Sequence, residues 1–347
     1  EKIKLLDNIE IIKKQDIKRI FDIIRYQQSK YPLEAAFAAK EPANGVHNWI
    51  KYSTADSIAM IDKVSKALFS HGIKKDDKIA LISNNRPEWN FADMGIQMSG
   101  TVSIPIYPTI SENDLTFILN DAQVKYVFVS AEDIYRKVKI ISANASSVKE
   151  IYTFNDVSGA KNWMEVVNLG KLNRDEAKLK SIKDSIKESD LATILYTSGT
   201  TGTPKGVMLS HQNIFSNVYA VRALPPCDHN DRCLSFLPLN HIYERMLVTL
   251  YMYLGVSIYY AESLETIGDN LREIKPQVFS CVPRLLEKVY DKIVSKGNEL
   301  TGVKKKLFFW ALSLGEKYDG AGKGGWWYNF QLRLANKIIF SKWREAL

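Results

Sequence analysis

Short apolar runs rich in β-branched and aromatic residues alternate along the chain with longer amphipathic segments. Eight runs have the composition of β-strands, and they cover residues 78–83 (KIALIS), 102–107 (VSIPIY), 125–130 (KYVFVS), 150–154 (EIYTF), 191–197 (LATILYT), 233–238 (CLSFLP), 256–261 (VSIYYA) and 278–283 (VFSCVP). Nearly continuous apolar strands separated by helices are typical of parallel sheets that are covered on both faces. The pattern predicts an α/β fold of parallel sheets flanked by helices.

Two of the predicted helices carry a start signal. Ser53 is followed three positions later by Asp56, and Ser111 by Asp114, which are capping-box pairs ahead of apolar residues at helical spacing. The polar stretch 170–190 predicts a linker or an exposed helix. We therefore place a boundary there, between a first α/β subdomain with an N-terminal extension (1–185) and a second one (186–347).

Composition and charge narrow the class of protein. The 347 residues are 46% hydrophobic, and no run of about 18 uncharged apolar residues occurs, so a membrane-spanning helix is not expected. Three cysteines without metal-ligand spacing favour a reducing, cytoplasmic setting. The net charge of +8 favours anionic partners such as nucleotides or acidic lipids. No nucleic-acid partner is expected, because no nucleic-acid-binding motif accompanies the lysines.

The segment YTSGTTGTPKGVMLSHQN, residues 196–213, raises the question of a phosphate-binding loop. A Walker loop reads G-x-x-x-x-G-K-[ST], and its last hydroxyl binds magnesium. Counted from Gly199, Pro204 stands in place of the second glycine and Gly206 stands in place of the hydroxyl residue. The Walker interpretation therefore fails at two positions.

The same segment still suits phosphates, and a flexible connector is the weaker alternative. Glycine allows the backbone to approach a ligand closely, hydroxyls donate to phosphate oxygens, and lysine adds a positive charge. The segment follows a predicted strand and precedes a helix that we expect to begin near 210–211. The candidate phosphate-binding residues are Thr197, Ser198, Gly199, Thr200, Thr201, Gly202, Thr203 and Lys205.

The segment resembles, almost letter for letter, the nucleotide signature of the adenylate-forming enzymes, which include acyl-CoA synthetases and firefly luciferase. Other stretches resemble the long-chain fatty acid–CoA ligase branch: SNNRPEW (83–89), FLPLNHIYER (236–245), CVPRLLEKVY (281–290) and KKKLFFWALSLGEKY (304–318). The resemblance runs from about residue 31 to the end of the sequence. It implies the two stacked subdomains of the large N-terminal domain of that family.

The resemblance also implies a reaction and roles for residues. A fatty carboxylate attacks the α-phosphate of Mg·ATP, and the thiol of coenzyme A then displaces AMP from the acyl-adenylate. Thr197 is the implied magnesium ligand, and Lys205 and His241 are the implied catalytic residues, with His241 where the acyl carboxylate meets the nucleotide. ATP, Mg²⁺ and coenzyme A are therefore the expected cofactors and co-substrates.

Three further residues are candidates for substrate contact, each with a structural alternative. Glu244 and Arg245 have either a direct role in the site or form an ion pair on a helix surface. Arg284 follows a predicted strand at the edge where ligands bind, and a structural role at a helix N-terminus competes evenly.

The sequence departs from the family in one respect. A Y-G-x-T-E motif, the ribose-binding aspartate and the C-terminal catalytic lysine of the family do not occur in these 347 residues. We expect an N-terminal piece of a longer enzyme, inactive or nearly inactive alone. Activation of an aryl or medium-chain acid, transfer to a carrier protein, and a nucleotide- or lipid-binding module without turnover stay open as alternatives, and so does a homodimer.

Aromatic segments near the end suggest an acyl tunnel or a peripheral membrane contact. Leu307, Trp310, Ala311 and Leu314 have helical spacing, and for them core packing is the stronger interpretation. Trp326 and Trp327, beside Lys323, are the better candidates for a membrane interface.

Overall fold

The computed structural model describes residues 17–43, 46–172, 176–198, 202–320 and 324–346. The chain divides into two compact units. The larger comprises Glu1–Ile267 with Pro276–Phe279, and the smaller comprises Gly268–Lys275 with Ser280–Leu347.

The strands of the described residues all belong to the larger unit. They are β1 Phe37–Ala43, β2 Val46–Tyr52, β3 Lys78–Ile82, β4 Val102–Ile106, β5 Val124–Val129, β6 Glu150–Thr153, β7 Lys161–Asn162, β8 Leu191–Ser198, β9 Pro204–Ser210, β10 Arg232–Ser235, β11 Ser257–Tyr260 and β12 Val278–Phe279. Each of the eight predicted runs overlaps one of these strands.

These strands form two mixed sheets. One has the order β7-β6-β5-β3-β4-β8-β9, and the other has the order β12-β10-β11-β1-β2. Neighbouring strands are parallel except for β8 with β9 and β1 with β2, which pair antiparallel at one edge of each sheet. The predicted fold of parallel strands flanked by helices is confirmed, with an antiparallel hairpin added to each sheet.

Helices connect and cover the strands. They are α1 Ile23–Lys30, α2 Thr54–Ser70, α3 Pro87–Met98, α4 Glu112–Asp121, α5 Glu132–Ser142, α6 Trp163–Leu172, α7 Glu176–Ser185, α8 His211–Val221, α9 Ile242–Leu254, α10 Ile267–Ile274, α11 Pro283–Glu299, α12 Gly302–Glu316, α13 Trp326–Ala335 and α14 Ser341–Ala346. A π-helical turn, Asn336–Phe340, joins the last two. Among the helices of the described ranges, none combines the length and apolarity needed to cross a bilayer.

Both predicted helix starts are confirmed. The hydroxyl of Ser53 accepts a hydrogen bond from the backbone N–H of Asp56 at 3.0 Å, and that of Ser111 accepts one from Asp114 at 3.1 Å. In the polar stretch 170–190, α7 buries none of its side chains, which fits the predicted exposed helix. The subdomain boundary at residue 185 stays a prediction.

Helix α3 lies at the centre of the larger unit. All twelve of its residues are buried, and it contacts β1 of one sheet and β3 and β4 of the other. The ring of Phe91 packs edge-on against Phe37 of β1, with ring centroids 5.8 Å apart. Polar side chains on this helix are therefore held between the two sheets, away from water.

The smaller unit is helical in its described part. Ala311 and Leu314 of α12 are buried with Ala335 of α13, which confirms the predicted core packing for these two α12 residues. Leu307, expected in the same core, is 37% exposed, and Trp310 is half-buried.

Candidate nucleotide and acyl site

The described part of the predicted phosphate-binding segment covers the end of β8 and the start of β9, which pair as an antiparallel hairpin. Strands β8 and β9 pair so that Thr197 lies opposite Lys205 and Tyr196 lies opposite Gly206. The predicted helix start is confirmed, since Ser210 caps α8, but residues 204–210, which we expected to be loop, form a strand. The segment connects two paired antiparallel strands and not a strand to a helix, so a Walker loop is excluded by topology as well as by sequence.

The hairpin presents donors to solvent. Thr197, Thr203 and Lys205 are all exposed, and Gly202 has a φ of +83°, a conformation that glycine adopts without strain. Gly199, Thr200, Thr201 and the side chain of Ser198 lie outside the described residues. Two hydroxyls and an ammonium group are thus available at one end of the hairpin.

The glycine at position 206 has a packing reason. A Cβ atom there would lie 2.8 Å from Cγ2 of Ile194 and 3.2 Å from Cζ of Tyr196. The cross-strand contact therefore leaves no room for the serine or threonine of a Walker loop.

The hairpin is tied to the rest of its sheet through β8. The hydroxyl of Thr193 donates to the carbonyl oxygen of Ser103 at 2.7 Å, and the hydroxyl of Tyr196 donates to the carboxylate of Asp121 at 2.5 Å. Burial and the Asp121 carboxylate raise the pKa of Tyr196 well above its usual value, so the phenol stays a neutral donor. The base of the hairpin is thereby fixed, while Thr197, Thr203 and Lys205 are exposed.

The second candidate segment, FLPLNHIYER, follows β10 and leads into α9. His241 is the N-cap of α9: its exposed ring accepts, at Nδ1, a hydrogen bond from the backbone N–H of Tyr243 at 3.2 Å. A neutral imidazole that accepts at Nδ1 carries its proton on Nε2. His241 can therefore donate from Nε2 to a ligand oxygen.

Hydrogen bonds connect this segment to the stretch SNNRPEW (83–89), which follows β3. The side-chain amide of Asn85 donates to the carbonyl oxygen of Leu237 at 2.6 Å, and its oxygen accepts from the backbone N–H of Leu239 at 2.9 Å. The amide of Asn240 donates to the carbonyl oxygen of Ser83 at 3.5 Å. Two stretches that the sequence resemblance singled out separately thus form one contact.

Glu244 faces the protein interior. The residue is only 2% exposed, and its carboxylate accepts a hydrogen bond from the hydroxyl of Ser235 at 2.5 Å. Burial raises the pKa of Glu244 to about 7, and the Ser235 hydroxyl works in the opposite direction. Glu244 consequently keeps its proton to a higher pH than an exposed glutamate does.

Arg245 is 3% exposed and pairs with a residue on α3. Its Nη2 donates to both carboxylate oxygens of Asp93, at 2.7 and 2.8 Å, and the amide of Gln97 donates to the same carboxylate at 2.8 Å. The alternative of a surface ion pair between Glu244 and Arg245 is therefore wrong, because both are buried and each has another partner. Sequence reasoning missed Asp93, which lies 152 positions from Arg245.

One apolar cluster joins the two candidate segments. Ala192 of β8 is buried with Ile20 and Ile214, and Leu209 of β9 and Ile242 of α9 pack against them. Ile242 directly follows His241 in the sequence. The base of the β8–β9 hairpin and the start of α9 therefore share one support.

Two predicted roles stay predictions. Arg284 lies exposed in the first turn of α11, in the smaller unit. Thr197 offers a single hydroxyl for magnesium, and within the described ranges no group of three or more His, Cys, Asp or Glu residues is placed to hold a metal ion.

Comparison with known proteins gives a family and relatives. The sequence profile of the family described as "AMP-binding enzyme" matches residues 24–318. Long chain acyl-CoA synthetase 2 of Arabidopsis thaliana is 30% identical over 92% of this chain and 49% of its own length. Long-chain-fatty-acid–CoA ligase ACSBG2 of Xenopus laevis is 29% identical over 94% of this chain and 46% of its own length. The chain thus spans about half the length of these curated relatives.

Solved structures agree on the fold. A long-chain-fatty-acid-CoA ligase (FadD1) from Archaeoglobus fulgidus superimposes with a TM-score of 0.68 at 22% identity, over 82% of this chain and 55% of that one. The N-terminal domain of FACL13 from Mycobacterium tuberculosis gives a TM-score of 0.66 at 22% identity, over 78% and 64% of the two chains.

Proposed function

The chain belongs to the AMP-binding enzyme family, and on that premise we propose that it is part of an ATP-dependent long-chain fatty acid–CoA ligase. The observation that carries the proposal is the shared support of the donor-bearing hairpin and of His241 by one apolar cluster. The names of the curated relatives, which are long-chain acyl-CoA synthetases and ligases, favour a long-chain fatty acid as the substrate.

The proposed reaction has two displacements. A carboxylate oxygen of the fatty acid forms a bond to the α-phosphorus of ATP, and the bond from that phosphorus to the bridging oxygen breaks, releasing pyrophosphate. The sulfur of coenzyme A then attacks the acyl carbon, AMP leaves with the former carboxylate oxygen, and the thiol proton passes to solvent. Positioning and charge neutralisation dominate the catalysis of such phosphorus chemistry.

The described residues fit the first step. Thr197, Thr203 and Lys205 would hold the β- and γ-phosphates, together with the hairpin residues of the motif outside the described ranges, and a charge-assisted contact such as that of Lys205 contributes roughly 1.5–3 kcal/mol. His241 would donate from Nε2 to an oxygen near the point where carboxylate and nucleotide meet. Neither role requires a change in the tautomer that the structure favours.

Magnesium would be bound mainly through the nucleotide phosphates. Mg²⁺ prefers oxygen ligands and keeps several waters, so a single hydroxyl, that of Thr197, is an acceptable protein contribution. When bound, the ion neutralises charge on the phosphate oxygens.

The buried residues would act through position. Asp93 and Arg245 tie α3 to the first turn of α9, one turn after His241, and the backbone N–H of Arg245 donates to the His241 carbonyl oxygen at 3.2 Å. We propose that they hold the imidazole in place without touching the substrate. A cytoplasmic location and a homodimer remain predictions.

Exchange of labelled pyrophosphate into ATP tests the proposal. The full-length protein is assayed without coenzyme A, with acids from acetate to stearate. Exchange that rises with chain length supports acyl-adenylate formation and the long-chain substrate together. Exchange only with aryl or medium-chain acids would replace the substrate class. No exchange with any acid, from folded protein that binds ATP, would leave a binding module and overturn the ligase proposal.

A further inference from the structure

An exposed group of aromatic side chains lies at the start of α13. Trp326, Trp327 and Phe330 are 79%, 60% and 51% exposed. Their rings contact one another, with centroid distances of 5.7 to 6.2 Å. We call these three residues the aromatic face. Such an apolar group in water costs free energy unless another surface covers it.

The opposite side of α13 is fixed by packing in the smaller unit. The hydroxyl of Tyr328 donates to the carbonyl oxygen of Leu314 at 2.9 Å, and Nε1 of Trp310 donates to the amide oxygen of Gln331 at 3.1 Å. Ala335 is fully buried on the same side. These contacts to α12 determine the rotation of α13 about its axis, so the aromatic face is turned outward by the fold.

The outward side continues along the helix with both apolar and basic residues. Arg333, Leu334, Lys337 and Ile338 are exposed and follow Phe330 at helical spacing. A helix with Trp, Phe and Leu beside Lys and Arg on its outer side matches the pattern of helices that lie in the plane of a membrane interface. Tryptophan is also enriched at the headgroup level of bilayers.

The charge of this region indicates which surface it meets. Residues 280–347 contain thirteen basic and six acidic residues, so nearly all of the chain's net charge of +8 lies there. Two copies of so basic a region repel each other, whereas an anionic lipid surface attracts it. Each Lys or Arg near such a surface strengthens binding about fivefold.

We propose that the aromatic face, with Arg333 and Lys337, docks on the surface of an anionic lipid bilayer. The aromatic rings would insert at the headgroup level and the two cations would meet the lipid phosphates. This surface goes beyond the proposed function, because it takes no part in the reaction. It would bring the protein to the membrane, the phase into which long-chain fatty acids partition. Lys323, which the sequence places near the face, lies outside the described residues.

Vesicle sedimentation of the full-length protein tests the proposal. Vesicles of phosphatidylcholine alone are compared with vesicles in which about a third of the lipid is phosphatidylglycerol. The triple variant Trp326→Ser, Trp327→Ser, Phe330→Ser should bind the anionic vesicles at least tenfold more weakly. The pair Arg333→Gln, Lys337→Gln should lose roughly 25-fold on anionic vesicles and little on neutral ones.

A matched control removes exposed apolar residues of the larger unit. Leu172 and Leu224 are 76% and 70% exposed, and Leu172→Ser with Leu224→Ser should bind vesicles like the wild type. Equal binding by the wild type and the triple variant would overturn the proposal. Two further results would also overturn it. One is a triple variant that, without lipid, loses no acrylamide-quenchable tryptophan fluorescence relative to the wild type, which would mean that protein covers Trp326 and Trp327. The other is a triple variant that lowers only the oligomeric mass. The assay does not use catalysis, so its outcome is separate from that of the pyrophosphate exchange.

Discussion

The hairpin of β8 and β9 and the segment after β10 carry equally recognisable sequence motifs but differ in burial. Thr197, Thr203 and Lys205 of the hairpin are exposed, whereas Glu244 and Arg245 of the second segment are almost fully buried. Among residues 240–245 of the second segment, His241 and Tyr243 are exposed and the other four are buried or half-buried. The first region presents its described polar groups to solvent, and the second uses Glu244 and Arg245 in buried contacts within the protein.

The difference shows that a motif combines two kinds of residue. A charged residue that faces solvent is available for chemistry, but it contributes little to stability. A charged residue that is buried with partners is not available for chemistry, but its removal strongly destabilises the fold, because the partner is left as an uncompensated charge. The two regions should therefore respond to substitution in opposite ways, which four experiments can test.

The largest effect is expected at Asp93. Asp93→Ala leaves the buried guanidinium of Arg245 without its carboxylate, and the free energy of unfolding should fall by about 3–5 kcal/mol. Urea denaturation measures this. The control is Glu132→Ala, which breaks the exposed pair with Arg136 and should cost about 0–1 kcal/mol. Equal losses in the two variants would contradict the assignment of a buried, structural pair.

Glu244 should give a pH-dependent stability. The unfolded state releases this proton near pH 4.5, whereas the folded state keeps it to about pH 7. Between these values the unfolded state binds fewer protons, so the free energy of unfolding falls as the pH rises. Glu244→Gln stays neutral, and it should therefore gain up to about 3 kcal/mol relative to the wild type above pH 7. Denaturation curves at pH 5 and pH 8 check this. A constant difference between variant and wild type would show that Glu244 does not titrate in this range.

Lys205 should behave in the opposite way from Asp93. Lys205→Ala should slow pyrophosphate exchange by the full-length protein roughly 10- to 100-fold, because one charge-assisted phosphate contact is lost. Its free energy of unfolding should stay within about 0.5 kcal/mol of the wild type. Lys149→Ala, at another exposed lysine of the larger unit, should change neither quantity. Normal pyrophosphate exchange by Lys205→Ala would show that Lys205 and its hairpin are not part of the nucleotide site.

Gly206 tests the packing inside the hairpin. Gly206→Ala places a Cβ atom 2.8 Å from Cγ2 of Ile194, and the overpacking should cost about 1–3 kcal/mol of stability. Ile194→Ala removes that methyl group, so the double variant should lose less than the sum of the single losses. Strictly additive losses, measured by urea denaturation, would show that the two positions do not contact each other.

Much of the fold could be predicted because local signals agreed with the tertiary structure. A strand of the structure overlaps each of the eight apolar runs, and Ser53 and Ser111 cap helices as their spacing predicts. Strands β1 and β9 were missed since they contain poor strand formers, with Lys40, Glu41 and Pro42 in β1, and Pro204 with Gly206 in β9. Their conformation comes from pairing with β2, β11 and β8, which a local pattern does not contain.

For the candidate site, the sequence indicated candidate residues but not their surroundings. The hydroxyls and Lys205 could be selected because phosphates need donors near a flexible backbone. The bond from Arg245 to Asp93 depends on α3 lying between the two sheets, and the buried carboxylate of Glu244 depends on Ser235 of β10. That arrangement joins residues 152 positions apart, and no spacing within either motif indicates it.

The pairing of β1 with β11 has a consequence for synthesis of the chain. Phe37 lies beside Ile258, so a strand made early must wait for roughly 220 further residues before its parallel neighbour exists. At translation rates of about 5–20 residues per second, the delay is on the order of 10 to 45 seconds. During that time β1 has only the β2 hairpin as a partner, and its free edge is open to mispairing. Lysine, glutamate and proline make β1 a poor strand by composition. Such residues would disfavour wrong strand pairing at the free edge until the rest of the sheet has been synthesised.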